Sequence, residues 1–329
     1  GYVWLRRTAS FDYLQAFIDA GKANGLDVYA AINTMVGGKE CPYGLGSHGP
    51  LFDGTISKDW ASVVNMVGGL KSCMDLGTGT KFLNPANDEV VSYLLGILED
   101  LAAYDVKGII LDRCRYDDYE LMSDFSEASR AKFEAYIGRK VEKWPADIFS
   151  PGADKLTGNG TDMQKKWMEF RAKVIHDFIE KASERVHSVN PDIRFGAYVG
   201  AWYSSYYYSG VNWASPKYET SSYYKWATPD YNEYGYADHC ECMKYLSDIC
   251  NCCHNSTDLH FRGNAFDFFT TDENNRHNRN IEYNCQHRTE NCHKFLHTKC
   301  SCSQVIIGKR ETFRFKLFTD IGFYNSAAD

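Results

Sequence analysis

"GIILDRCRYDDYELMSDFS", residues 108–126, changes character at its fifth residue. Ile109, Ile110 and Leu111 form an unbroken aliphatic run, the pattern of a strand covered on both faces. The chain then crowds Asp112, Arg113, Arg115, Asp117 and Asp118 into seven positions. A buried strand that ends this way is a post that can hold a carboxylate in a cleft. The bland alternative is an Asp that caps its own loop through backbone N–H groups.

Outward from this strand the elements alternate. Upstream, "FLNPANDEVVSYLLGILEDLAAYDV" sets Asn84-Pro85 ahead of a helix over about 87–104, whose Val90, Val91, Leu94, Leu95, Leu98 and Leu101 keep the 3.6-residue period. "VKGIILD" (106–112) is the strand itself. Downstream, "SDFSEASRAKFEAYIG" predicts a helix opening at Ser126 and stopped by Gly138. A long amphipathic helix follows over about 161–189, halted at Asn190-Pro191, and then a strand over 192–200. Nearer the amino terminus, residues 10–24 read as a helix with Ser10 at the N-cap and Gly25 past its end, followed by a strand over 26–33. "WASVVNMVGGLKSCM" (60–74) reads as a hairpin turning at Gly68-Gly69, and "YGYADH" (234–239) as the start of another strand.

Helix and strand in alternation predict a parallel sheet with right-handed crossovers. A closed (β/α)8 barrel and an open doubly wound sheet both satisfy that rhythm. No glycine-rich phosphate fingerprint follows any strand. The loops of unusual chemistry all follow strand carboxyl ends, at Asn33, at Asp112 and at Tyr198 to Tyr208, which is where a barrel carries its active site.

The chain has 329 residues, 44% hydrophobic, with a net charge of −7. That is enough for one large α/β domain or two smaller ones, and the negative balance argues against a grip on nucleic acid or on an anionic membrane. No run is long and apolar enough to span a membrane. Ten of the 23 tyrosines and three of the seven tryptophans lie between Trp202 and Tyr236. Such residues suit a surface that stacks on sugar rings and bonds their hydroxyls, or simply a wet tyrosine-rich loop.

The orderly pattern stops near residue 239. Nine of the 12 cysteines and seven of the ten histidines fall in residues 239–329, where apolar periodicity is largely lost. Three readings stand for this Cys/His/Asn-rich tail: zinc ligands in spacings that match no standard knuckle, a disulfide-rich module with one cysteine left over, or a shifted reading frame replacing the barrel end. The domain division expected is therefore 1–238 and 239–329.

Three blocks, "FDYLQAFIDAGKANGLDVYAAINTMVGG", "FLNPANDEVVSYLLGILEDLAAYDVKGIILDRCRYDD" and "FGAYVGAWYSSYYYSGVNWASP", resemble the glycosyl-hydrolase-like family ten proteins, a bacterial group common in gut Bacteroidetes, over roughly residues 2–238. The resemblance implies a secreted or periplasmic (β/α)8 TIM barrel acting on polysaccharide, here incomplete at the amino terminus and aberrant after about residue 239. It implies no named sugar, and no cofactor or metal enters the reading.

Glycoside hydrolysis needs two carboxyl groups across the scissile bond. In the family the aspartate of this "LDR" block stands at the place of Asp112, and it resembles the nucleophile position of related barrel glycosidases. Asp117 and Asp118 are candidate partners if the loop folds back, or ordinary loop polarity if it does not. Arg113 is expected to keep Asp112 ionised or to bind sugar hydroxyls, and Arg115 to form a solvent-facing pair with Asp117 or Asp118. Asn33 and Asn84 are candidate hydroxyl partners or turn-satisfying amides. Tyr198, Trp202 and Tyr203 are candidate stacking platforms or loop packing. Glu169 and Glu180 read as outer surface residues of the long helix, and no residue stands out as the general acid. The expected function is glycoside hydrolysis, against a carbohydrate-binding barrel without catalysis or a zinc module on a structural barrel.

Overall fold

The structure is a computed structural model that describes residues 11–40, 47–77, 79–153, 155–198, 203–212, 219–222 and 224–235. Strands β1 (Tyr29–Asn33), β6 (Gly108–Asp112) and β7 (Arg194–Ala197) form a parallel sheet in the order β1-β6-β7. Helix α1 (Tyr13–Ala23) leads into β1, α3 (Asp88–Ala102) links β1 to β6, and α5 (Asp162–Val189) links β6 to β7. The alternating elements and the parallel sheet expected from the sequence are present. Three strands do not make a cylinder. Of the strand expected to begin in "YGYADH", Tyr234 caps α6 (Pro229–Glu233) and Gly235 follows it outside any strand, and residues 236–239 and the tail lie outside the described residues.

The helices form where the apolar period and the caps agree. Val90, Leu94, Leu98 and Ala102 of α3 are buried along one stripe, as are Ile175, Phe178, Ile179, Ala182 and Val186 of α5, and the two helices pack together. Ser126 caps α4 (Glu127–Ile137), and left-handed Gly138 ends it as expected. For α5 the sequence carries a capping box that the apolar stripe hides: Thr161 accepts from Gln164 N, and the Gln164 side chain accepts in return from Thr161 N. The amino-terminal helix is shorter than expected, starting after Asp12, whose Oδ1 accepts from Gln15 N. Both strands flanking the helices lose their outer residues, starting at Tyr29 and at Arg194.

In-register parallel neighbours share a face. Ala30, Ile109 and Phe195, then Leu111 and Ala197, are buried on one face. The other face carries Ala31, Ile110 and Gly196, of which Ala31 and Ile110 are half-buried among the described residues. At its lower end the Tyr29 ring lies across Gly108, where a Cβ would come within 2.4 Å of Tyr29 Cδ1, and Arg194 Nη1 donates to Tyr29 Oη at 3.2 Å.

Between β1 and α3 the chain builds a rim on the sheet's carboxyl side. β2 (Val36–Glu40) pairs antiparallel with β5 (Gly79–Phe82), the short helix α2 (Pro50–Asp53) lies against β2, and β3 (Val63–Met66) and β4 (Gly69–Ser72) form the expected hairpin. Its two-residue turn is Val67-Gly68, one position earlier than predicted, because Met66 pairs with Gly69.

Candidate active site

The sheet's carboxyl edge gathers three of the residues singled out by sequence. Asn33 pairs in register with Asp112, and Tyr198 N donates to Leu111 O at 2.8 Å, so Tyr198 continues the register on the other side. The three stand on adjacent strand ends, Asp112 in the middle. Asn33 is exposed, Asp112 half-buried and Tyr198 37% exposed.

Asp112 is held by its own turn. Its carbonyl accepts from Thr34 N at 2.7 Å, and its Oδ1 accepts from Arg113 N at 2.8 Å. Arg113 has φ +49, a left-handed conformation that costs a side-chain-bearing residue roughly 1 kcal/mol or more, so the surroundings must enforce it. They do so through Met35 N, which donates to Arg113 O. No second hydrogen bond to the Asp112 carboxylate is present among the described residues. Burial pushes its pKa above the ordinary range, against Arg113, the backbone bond and Arg115, which act in the other direction. The arginines therefore do not hold it as firmly ionised as the sequence led us to expect.

Arg113 and Arg115 both lie against the buried ring of Phe82, with Cζ 5.9 and 5.1 Å from its centre. Arg113 Nη1 donates to Thr80 Oγ1 at 3.3 Å, and Arg115 Nη1 to Tyr116 O at 2.9 Å. Asp118 bridges them, Oδ1 at 2.7 Å from Arg115 Nη2 and Oδ2 at 3.9 Å from Arg113 Nη1. The ion pair expected for Arg115 exists, but its guanidinium is largely buried and the carboxylate is the exposed partner.

Asp117 goes elsewhere. It is fully buried, its Oδ2 accepting from Ser62 Oγ at 2.5 Å and its Oδ1 from Tyr119 N at 2.8 Å. These bonds tie the loop to the hairpin and occupy the carboxylate. Asn84 is likewise buried and spent: Nδ2 donates to Ser126 Oγ at 2.8 Å, and Oδ1 accepts from Ala86 N at 2.8 Å. This is the turn arrangement, the second of its two readings. Trp202 lies outside the described residues, as does the side chain of Tyr203, whose backbone opens a 3-10 helix over Tyr203–Ser209.

Sequence reasoning missed a buried polar layer under this loop. Asp124 is fully buried, with Oδ1 accepting from Val63 N at 2.5 Å and Oδ2 from Ser126 Oγ and Ser129 Oγ at 2.7 and 2.6 Å. Burial pushes its pKa up to about 6. Arg171 of α5, fully buried, donates to Glu120 O at 2.8 Å and faces Tyr116. Glu169, a surface residue by helical spacing alone, is fully buried, accepting from Tyr136 Oη, Lys166 Nζ and Thr228 Oγ1, because α4 and α6 cover that side of α5. The "SD" and "RAKV" steps carry no local signal of this.

Two features lie on the helical side. A cavity of about 270 Å³ opens between α3, α4 and α5, lined by Val91, Tyr136, Phe170, Lys173, Phe178 and Lys181. His176, Asp177 and Glu180 on α5 are the one grouping of potential metal ligands among the described residues, the ring Nδ1 facing the carboxylates at 3.5 and 3.7 Å.

Comparison with known proteins gives three findings. The family model described as glycosyl hydrolase-like 10 matches residues 6–220. An S-layer-related protein of Niallia circulans is 32% identical over 243 residues, covering 68% of this chain and 14% of that protein. The chain thus spans about one seventh of the relative's length. The catalytic domain of β-amylase from Paenibacillus polymyxa superposes with a TM-score of 0.36 at 16% identity, over 57% of this chain and 54% of that one.

Proposed function

The chain belongs to the glycosyl hydrolase-like 10 family, and from that premise we propose that it is a (β/α)8 barrel domain that hydrolyses glycosidic bonds in a polysaccharide or oligosaccharide. The observation that carries the proposal is the row of Asn33, Asp112 and Tyr198 across three parallel strand ends, with one carboxylate oxygen of Asp112 left uncommitted by hydrogen bonds among the described residues. An amide, a carboxyl and a phenol ring at one level supply a hydroxyl partner, a proton-transfer group and a stacking face.

Burial acts on Asp112 in the direction that favours its protonated form, which supports a proton-transfer role beside the nucleophile role that the family resemblance suggests. The sheet face that carries Ala31 and Ile110 is half-buried among the described residues, which is compatible with closure by further strands. The name of the S-layer-related relative supports a location at the cell surface or outside it.

The test is turnover on a panel of soluble glucans, xylans and pectins by the chain and by Asp112→Asn. Hydrolysis lost at least 100-fold in the variant, with the fold intact, is the expected result. Equal turnover in both forms would end the assignment of Asp112.

One observation favours a second reading, a barrel that binds glycan without cleaving it. Among the described residues no second carboxylate stands beside Asp112, since Asp117 is turned into the loop and Asp118 is shared by two arginines. Glycan binding without turnover in either form is what that reading expects.

A further inference from the structure

Asp118 occupies an unusual position for a surface residue. Its side chain is 57% exposed, yet its two oxygens reach two guanidiniums that are 26% and 19% exposed. Those guanidiniums are fixed from behind: Arg113 through Thr80, Arg115 through the Tyr116 carbonyl, and both against Phe82. The cations are built in, and the anion between them is the loosely held member.

Asp118 is the exposed member of the group, so water can solvate its carboxylate when it swings out, and the partly buried guanidiniums stay paired because the incoming carboxylate replaces it. A carboxylate that took its place would meet two oriented, partly desolvated guanidiniums, one at hydrogen-bond distance and one at ion-pair distance from its oxygens. The loop that bears both arginines begins at Asp112 itself, so a sugar bound there lies next to the proposed reacting carboxyl.

We propose that Asp118 is a placeholder for the carboxylate of a uronic acid residue, and that Arg113 and Arg115 make this a subsite for acidic polysaccharide. The proposal rests on the carbohydrate-acting reading above and narrows its substrate class. It requires the arginine pair to bind a sugar acid, whether or not Asp112 cleaves the chain.

The experiment is calorimetric binding at low salt of tetragalacturonate, of maltotetraose as the neutral control, and of a sulfated tetrasaccharide of the same length. Each is titrated into the chain, into Asp118→Ala and into the double variant Arg113→Met/Arg115→Met. Removing the placeholder is expected to tighten tetragalacturonate about tenfold, leave maltotetraose unchanged, and lose the gain when both arginines are gone. Equal tightening for the sulfated ligand would replace carboxylate recognition by a general anion site and overturn the uronate assignment. Loss of tetragalacturonate affinity in Asp118→Ala, or no preference for it over maltotetraose in any form, would overturn the placeholder itself. Turnover is read separately: a uronate preference with no hydrolysis keeps the subsite and removes the hydrolase. Unchanged melting temperature of Asp118→Ala guards the comparison, and the exposed position makes that the expected outcome.

Discussion

The guanidinium carbon of Arg171 lies 4.3 Å from the centre of the Tyr116 ring, and both side chains are fully buried. Around them stand Asp117 and Asp124, whose negative charge opposes the desolvation that draws the Arg171 pKa down to about 10. One helix residue thus clamps the loop that begins at Asp112, through the ring of Tyr116 and the carbonyl of Glu120. Replacing it by Met keeps the length and removes the charge, leaving two buried carboxylates without their cation. No direct ion pair joins Arg171 to either carboxylate among the described residues, so the loss is expected to stay below the roughly 3–5 kcal/mol of a broken buried pair, with about 1.5–3 kcal/mol from the charged hydrogen bond to Glu120. Arg171→Met is expected to lose a few kcal/mol in urea denaturation at pH 7, and less at pH 5, where the carboxylates can take up protons. A loss below about 0.5 kcal/mol at pH 7, the scatter of ordinary surface changes, would mean that the clamp does not stabilise the loop.

Asp124 sets a pH dependence of definite sign. Its folded pKa, about 6, lies above the unfolded value of about 3.9. The folded state therefore holds the proton more tightly, and stability falls as pH rises from about 4 to about 6, then levels off. Two pH units correspond to about 3 kcal/mol. Asp124→Asn keeps an oxygen for Val63 N and turns its amide toward the Ser129 hydroxyl, which can accept, while Ser126 Oγ already accepts from Asn84 Nδ2 and Ser129 N. It should flatten that slope while changing stability at pH 7 by no more than about 1–2 kcal/mol. Denaturation curves at pH 4.5, 6 and 7.5 decide the matter; a parallel slope in the two proteins would contradict it.

The parts of this fold that the sequence disclosed are those where a local rule and the tertiary outcome coincide. The apolar stripes of α3 and α5, the Ser126 cap, the Gly138 stop and the strand ending in Asp112 each follow from spacing within a few residues. The buried charges did not follow, because helical period says which face a residue occupies and not whether another element will cover it. Glu169 sits on a face that α6 later closes, and Asp124 lies under a hairpin sixty residues earlier in the chain. Asp117 and Asp118 are neighbours of one type with opposite fates, one interior and one exposed, and nothing in "YDDY" separates them. The strand end could be read; its second carboxylate could not.

Lys81 carries a similar concealed load. It is 1% exposed, and its Nζ donates to the carbonyls of Cys73, Leu76 and Gly77 at 2.8, 2.9 and 2.7 Å, with Glu40 at 3.4 Å. The ammonium closes a loop whose carbonyls have turned inward. Lys81→Met fills the space but strands those acceptors, each of which costs about 1–3 kcal/mol when buried unpaired. Water reaching the loop will reduce the sum. A drop of about 3 kcal/mol in stability, with faster amide exchange confined to residues 73–77, is the expected pattern. Exchange that speeds up uniformly would place the defect in global stability instead of in this loop.

Gly108 tests the packing of the sheet face that lies below Asp112. A Cβ there would stand 2.4 Å from Tyr29 Cδ1 and 2.9 Å from the carbonyl oxygen of Arg194. The ring can rotate away only by giving up its hydrogen bond from Arg194, and the carbonyl belongs to the neighbouring strand. Overpacking of this kind costs about 1–3 kcal/mol. Gly108→Ala should fall in that range, and Tyr29→Ala should cost its own lost contacts. If the ring is the main obstacle, the double variant will be more stable than the sum of the two losses predicts, by about 1 kcal/mol in a double-mutant cycle. Strict additivity would assign the strain to the Arg194 carbonyl, and so to the spacing of β6 and β7 instead of the ring beneath the active-site row.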